Sequence, residues 1–352
     1  MRIVVQNQVE RPMFNQYDLF HTSIGFDLRV PDFGAPPLTV YDEAFKMIEF
    51  ADRAGIDKLD FQEHHQSEDG YNPCPFLAGV AAAARTKNIA IVLGAVILPF
   101  HDPVKLAEQI AVADLISGGR FYTVLAAGYS PTEFAAFRVS LKDRAKTMDH
   151  GFDLILRALA GERFMDGDRE VFVRPLPSRP PHEIVYGGGG TPASARRAAR
   201  FGIPMWPMND SIIPDYIAEC EKLGRTPGPL IRSTKSVYVT EDPEQGWTDL
   251  APHLLHYMQS YARWSSSADT SASPLHGMDS LDKIRQANLV SIVTPAEAIE
   301  IGRTRCIGLQ PLIGGLHLDK GWRSLELFVD KVLPAIKDAP EVWRNEQGLV
   351  AA

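Results

Sequence analysis

Residues 89–97 read Ile-Ala-Ile-Val-Leu-Gly-Ala-Val-Ile, an apolar run with no polar side chain on either alternating face. A strand apolar on both faces must be covered on both, which is the situation of a parallel sheet whose crossover helices lie over it. Nine residues are too few to span a bilayer as a helix, and no stretch of the chain holds the roughly 18 apolar residues that would. The run closes at Pro99, and Asp102 stands as N-cap before Pro103 in the first turn of a helix. That helix places Leu106, Ile110, Ala113 and Leu115 on one face and ends at Gly118 and Gly119.

The same alternation of strand and helix signals runs through the chain. Strands are expected at 2–6, 58–61, 89–97, 121–125, 183–186, 203–206, 231–239 and 307–312, with helices between them. The first helix starts near Thr39 and is stopped by Gly55. Eight such pairs in 352 residues predict a single (β/α)8 TIM barrel spanning 1–352. Two insertions are expected. One, at about 163–181, holds a small hairpin; the longer, at 240–295 after the seventh strand, carries a polar tract at 265–273 and has the length of a lid.

Composition narrows the function classes. The net charge is −8, with acids and bases mixed along the chain, so no basic face for nucleic acid is expected. Cys74, Cys220 and Cys306 are far apart and odd in number, which is no disulfide or metal pattern. The start at residues 1–5 reads as a strand and not as a signal peptide. A cytoplasmic protein is expected, without a membrane partner.

Chemistry in a barrel gathers in the loops after the strands' C-terminal ends. Glu63, His64 and His65 fall in that place after the second strand. A histidine there can act as acid, base or hydrogen-bond donor. Adjacent side chains point oppositely, so one of the two histidines is expected to enter the pocket. Metal binding would need further ligands, and no HExxH spacing is present. After the fifth strand come Gly187, Gly188, Gly189, Gly190, Thr191, Pro192 and Ser194 at a helix start. Bare backbone N–H groups and the helix dipole there suit a phosphate, although the pattern is neither GxGxxG nor a P-loop. Gly128, Tyr129 and Ser130 line a third such junction, and Gly94 with Ala95 interrupts the buried strand, as at a bulge or a close approach.

Taken in order, these motifs resemble the bacterial luciferase-like flavin monooxygenases. The resemblance rests on Gly55 to Asp57, Glu63 to His65, Leu93 to Pro99, His101 to Glu108, Leu115 to Phe121, Gly128 to Phe137, the glycine run, Phe201 to Pro204, Pro311 to Leu316 and Ser324 to Phe328. It implies a barrel that binds reduced FMN at its mouth and uses dioxygen to oxidise a small, fairly apolar organic substrate through a flavin hydroperoxide. His64 takes the family's catalytic histidine position, with Glu63 beside it. Gly94 and Ala95 take the place of a non-proline cis peptide behind the flavin ring. The phosphate end is expected on Gly188, Gly189, Gly190, Thr191 and Ser194, with Gly128, Tyr129 and Ser130 near it. The resemblance also implies a separate flavin reductase and a homodimer. Ala127 stands where luciferase itself has a phosphate-binding arginine, which leaves room for the family's other cofactor, F420, and a hydride-transfer reaction. A flavin-binding subunit without turnover is a further reading.

Overall fold

The computed structural model describes residues 17–232, 234–265 and 278–337. The strand expected at 2–6 lies outside them. In its place β1 is Thr22–Phe26, inside a stretch read from sequence as loop. It continues the alternation with α1 (Pro37–Ala54), β2 (Lys58–Phe61), α2 (Pro75–Arg85), β3 (Ala90–Ile97), α3 (Pro103–Ser117), β4 (Phe121–Ala126), α4 (Pro131–Ala136) and α5 (Arg144–Leu159). The expected hairpin follows as β5 (Phe164–Asp166) and β6 (Arg169–Val171), then α6 (Pro181–Ile184), β7 (Val185–Gly189), α7 (Pro192–Phe201), β8 (Met205–Pro207) and α8 (Ile213–Lys222). The last stretch holds β9 (Lys235–Val239), α9 (Pro243–Ser265), α10 (Leu281–Ala287), β10 (Val290–Val293), α11 (Pro295–Thr304), β11 (Ile307–Leu309), α12 (Leu318–Leu327) and, after a π turn, α13 (Leu333–Lys337).

The strands other than the hairpin form one parallel sheet in the order β10-β9-β11-β1-β2-β3-β4-β7-β8. Its ends meet where Leu230, just before β9, bridges to Met205 of β8 and to Asp18. Eight members thus circle as in a (β/α)8 barrel, and β10 is an added strand beside β9. Local chemistry explains the boundaries that were legible. All eight residues of β3 are buried, Asp102 caps α3 by accepting from the Val104 and Lys105 amides, and Gly55 ends α1 in the left-handed region at φ 83°. Leu115 departs from its expected core face: it is 44% exposed.

The segment 240–295 differs most from the sequence reading. The helical stretches expected in this connection are a 23-residue helix, α9, and, beyond the undescribed residues, α10; the strand β10 was not expected. α9 packs through Leu250, Leu254, Tyr257 and Met258 on Tyr238, Ile313 and Leu316, so it lies across the mouth side of β9 and β11. The barrel interior is divided. Val92, Val124, Tyr186 and Ile231 pack against Trp206 on one side. The other side holds a polar cavity of about 140 Å³ between Ser23, Lys58, Asp60, Thr234 and Gln310.

Candidate active site

The second strand's loop separates its three ionisable residues as strand alternation requires. His64 turns into the mouth, and its Nδ1 meets Glu133 Oε1 at 3.1 Å. Glu133 lies in the first turn of α4 and is buried, and the same oxygen accepts the His65 amide at 2.7 Å. With Nδ1–H donated to a carboxylate, the imidazole presents Nε2 as the atom that can take or return a proton. Around it stand aromatic rings. Trp264 stacks on it at 4.2 Å and 19°, while Tyr71, Tyr261 and Tyr129 meet it edge-on at 4.8, 5.4 and 6.0 Å. Trp264 and Tyr261 come from the last turns of α9, which therefore covers the histidine; its burial leaves it 7% exposed.

Glu63 and His65 face the other way. Glu63 Oε1 receives both His65 Nε2 at 2.9 Å and His101 Nε2 at 2.8 Å, and Oε2 accepts the Ile97 amide at 2.6 Å. Burial pushes the Glu63 carboxyl up, but hydrogen bonds from His101 and His65 outweigh it and hold the group below the ordinary carboxylate range. Its contacts are those of an anchor joining the ends of β2 and β3, not of a group that faces the mouth.

Beneath the mouth, β3 is irregular where the sequence placed Gly94 and Ala95. Pairing with β4 shifts register between Gly94 and Val96, and the Gly94–Ala95 peptide is cis. Trp206 lies against Gly94, 3.7 Å from where a β-carbon would stand. Gly128 has φ 68°, and a β-carbon on it would come within 2.7 Å of Ile97. Tyr129 is half-buried beside His64, with burial raising its hydroxyl's pKa. Ser130 is fully buried, and its hydroxyl pairs with that of Thr132 at 2.9 Å.

The glycine run divides in a way the sequence does not reveal. Gly187, Gly188 and Gly189 are strand, not loop. β-Carbons there would fall 2.8 Å from Ala198, 2.7 Å from Val124 and 2.5 Å from Ser194. Three of the four glycines are thus required by the close packing of β7 on β4 and α7. Gly190 is different: a β-carbon would meet nothing nearer than Met208 at 3.4 Å. Beyond it Thr191, which is exposed, and Ser194, which is half-buried, form a capping box at the start of α7. Gly190 and the first turn of α7 are therefore the part of the run open to an anion, with the helix dipole behind it. The three arginines of α7 are already engaged: Arg196 with Asp215, Arg197 and Arg200 with Asp149.

Sequence reasoning missed Glu133, His101 and Tyr71. Glu133 carried one signal, an acid in the first turn of a helix after a barrel strand. The others are joined only by tertiary contact. Among the described residues no group of three or more His, Cys, Asp or Glu could hold a metal ion, and no helix is long and apolar enough to cross a membrane.

Comparison with known proteins bears on the family and the fold. A profile of luciferase-like monooxygenases matches residues 23–297. Limonene 1,2-monooxygenase of Rhodococcus erythropolis is 28% identical over 321 residues, covering 82% of this chain and 80% of its own length. The oxygenase component of the flavin-dependent trigonelline monooxygenase of Acinetobacter baylyi is 25% identical over 219 residues, 58% of this chain and 61% of its own. Among solved structures, the monooxygenase RslO1 from Streptomyces bottropensis superposes with a TM-score of 0.72 at 24% identity, over 89% of this chain and 98% of that one.

Proposed function

Because the chain belongs to the luciferase-like monooxygenase family, we propose that it is the oxygenase component of a two-component, flavin-dependent monooxygenase using reduced FMN. Reduced FMN, when bound, supplies the two electrons that activate dioxygen; one oxygen atom goes to the organic substrate and the other leaves as water. A separate reductase, as the oxygenase-component relative implies, would deliver the reduced cofactor.

The observation that carries this reading is His64, a buried imidazole oriented by Glu133 at the mouth of the barrel. Orientation by a carboxylate lets one nitrogen exchange a proton at a defined point, which is what acid–base assistance to an oxygen transfer needs. The aromatic rings of α9 exclude water from that point, and exclusion of water guards against unproductive release of peroxide. Glu63 acts at one remove, by holding His65, His101 and the β3 terminus around the histidine. The residues at the open end of the glycine run fit a phosphate. A β-carbon at Gly190 would meet nothing nearer than 3.4 Å, and since Pro192 has no N–H and the capping box takes the Thr191 and Ser194 amides, a phosphate would rest on the Gly190 and Ala193 amides with the dipole of α7 behind them. Ala127 adds no charge, so phosphate capture would rest on these neutral donors and the dipole.

The α7 arginines bear on the alternative cofactor. F420 carries a long acidic tail, and a basic exit groove beside α7 would serve it. Arg196, Arg197 and Arg200 are paired with aspartates instead, which favours FMN. Anaerobic titration with reduced FMN and with reduced F420, followed by admission of air, tests the assignment. Saturable FMN binding followed by oxidation of the bound flavin is expected. Preference for F420 without reaction with oxygen would move the assignment to hydride transfer, and binding of neither would leave a barrel without this chemistry.

A further inference from the structure

The mouth contains a hydrogen-bond donor that the fold itself does not use. Arg29, three residues beyond the end of β1, is 1% exposed. Its Nη1 donates to Asp69 Oδ2 at 2.8 Å and to Ser260 Oγ at 2.9 Å, and its Nε faces Asp27 Oδ2 at 3.1 Å. Neither Nε, which meets Asp27 as an ion pair without hydrogen-bond geometry, nor Nη2, which has no ion-pair contact either, has a hydrogen-bond partner among the described residues. Buried polar groups are nearly always paired, because leaving a donor bare forfeits its hydration without return. An acceptor is therefore due at Nη2.

The place where it is due adjoins His64. The guanidinium lies 4.5 Å from the Tyr71 ring centre, 5.0 Å from Tyr257 and 5.4 Å from Trp264. Tyr71 and Trp264 are also the rings nearest His64. Among the ring contacts of His64 with described residues only Trp264 is parallel to the imidazole, so Trp264 holds the flat slot on it. Trp264 is the penultimate residue of α9, and a shift confined to that last turn would vacate the slot.

We propose that this enclosure is the substrate subsite, and that it takes an uncharged, planar ring compound bearing an oxygen acceptor, with Arg29 Nη2 as the specificity-determining donor. The proposal rests on the monooxygenase reading above and adds the substrate class to it. The ring of the ligand replaces Trp264 on the imidazole, which brings the oxidisable carbon to His64. Charge excludes the alternatives. Asp27 and Asp69 already share the one guanidinium, so a ligand carboxylate would be a third negative charge on it. A cationic ligand would meet the guanidinium itself. A carbonyl, hydroxyl or ether oxygen satisfies the donor without either penalty, and flat rings suit walls made of Tyr71, Tyr257 and Tyr261.

Calorimetric titration of the flavin-free protein with 2-naphthol, naphthalene, 2-naphthoate and decanal tests this. 2-Naphthol is expected to bind about tenfold or more tightly than naphthalene, the return on one hydrogen bond to a buried cation. It is also expected to bind more tightly than 2-naphthoate or decanal. In Arg29→Lys an ammonium stays between the two aspartates but leaves the Nη2 position empty, so the naphthol-to-naphthalene ratio should fall towards one. If that variant does not fold, the wild-type ratio alone decides. Equal affinity for naphthol and naphthalene, tighter binding of naphthoate or decanal, or no binding of any probe overturns the proposal. FMN binding is followed in parallel by flavin fluorescence. A protein that prefers 2-naphthol but takes no FMN loses the monooxygenase reading, while one that takes FMN without the preference loses only the subsite.

Discussion

Asp69 ties α9 to the rest of the mouth, and replacing it by asparagine tests how firmly. One Asp69 oxygen accepts from Arg29 Nη1 at 2.8 Å and from His256 Nε2 of α9 at 2.7 Å, and the other accepts from the Ser67 hydroxyl. Burial alone would raise the carboxyl's pKa. The hydrogen bond from His256 and the charge of Arg29 outweigh it and hold the group far below the carboxylate range. Asp69→Asn keeps the shape but removes the charge from a pair in which Arg29 has no exposed side-chain surface. Breaking a buried pair costs about 3–5 kcal/mol, and the lower end applies because Arg29 retains Asp27 and Ser260. Urea unfolding followed by tryptophan fluorescence reads this directly. With a slope near 3 kcal/mol per molar, the midpoint should fall by about 1 M. The pH dependence gives a second signature. The folded pKa lies below the unfolded value of about 3.9, so the stabilisation is complete above roughly pH 5 and is lost as pH falls from there. The gap between wild type and variant should therefore be constant at neutral pH and narrow below about pH 4. A midpoint shift under about 0.3 M, or a gap that does not narrow in acid, would refute the account of α9 as held by this carboxylate.

Three further outcomes follow from other parts of the site. Glu133→Gln leaves His64 a neutral acceptor in place of a charged one; a loss of about 1–2 kcal/mol should slow oxidation of bound reduced FMN roughly tenfold in stopped flow, with FMN affinity unchanged. An unaltered rate would remove Glu133 from the mechanism. Gly187→Ala presses on Ala198 and should destabilise the fold by about 1–3 kcal/mol, whereas Gly190→Ala should unfold like wild type but weaken FMN binding. Equal thermal shifts for the two would undo the division of the glycine run. Asp18, beside Arg232, has its pKa pushed by burial to about 6 despite that arginine. Its folded pKa exceeds the unfolded one, so stability is greatest in acid and is lost as pH rises through that value. Wild type should lose about 2–3 kcal/mol relative to Asp18→Asn between pH 4 and 7, and parallel pH profiles of unfolding would contradict this.

Much of this protein was open to reading from local chemistry. The apolar run of β3, the aspartate before α3 and the glycine after α1 each act within a few residues, so their consequences do not wait on the rest of the chain. Periodicity and caps were therefore enough for the parallel α/β architecture and for placing His64 after a strand. β1 was hidden because Thr22–Phe26 is short and its burial depends on neighbours from both chain ends, β2 and β11.

The candidate site is another matter. Glu133 reaches His64 across 69 residues, and Trp264 closes over it from a helix 200 positions away, so no local pattern could join them. The glycine run shows the same limit from the opposite side. Four identical residues look alike in sequence, yet at three of them Ala198, Val124 and Ser194 leave no room for a side chain, whereas at Gly190 a β-carbon would make only ordinary contacts with Met208 and Asn209. Local sequence determined where this chain turns, caps and buries its strands, since those preferences are short-ranged. Tertiary structure alone decided which carboxylate holds the histidine, which rings enclose it and which glycine is free for a ligand, since each depends on distances set only when the barrel closes.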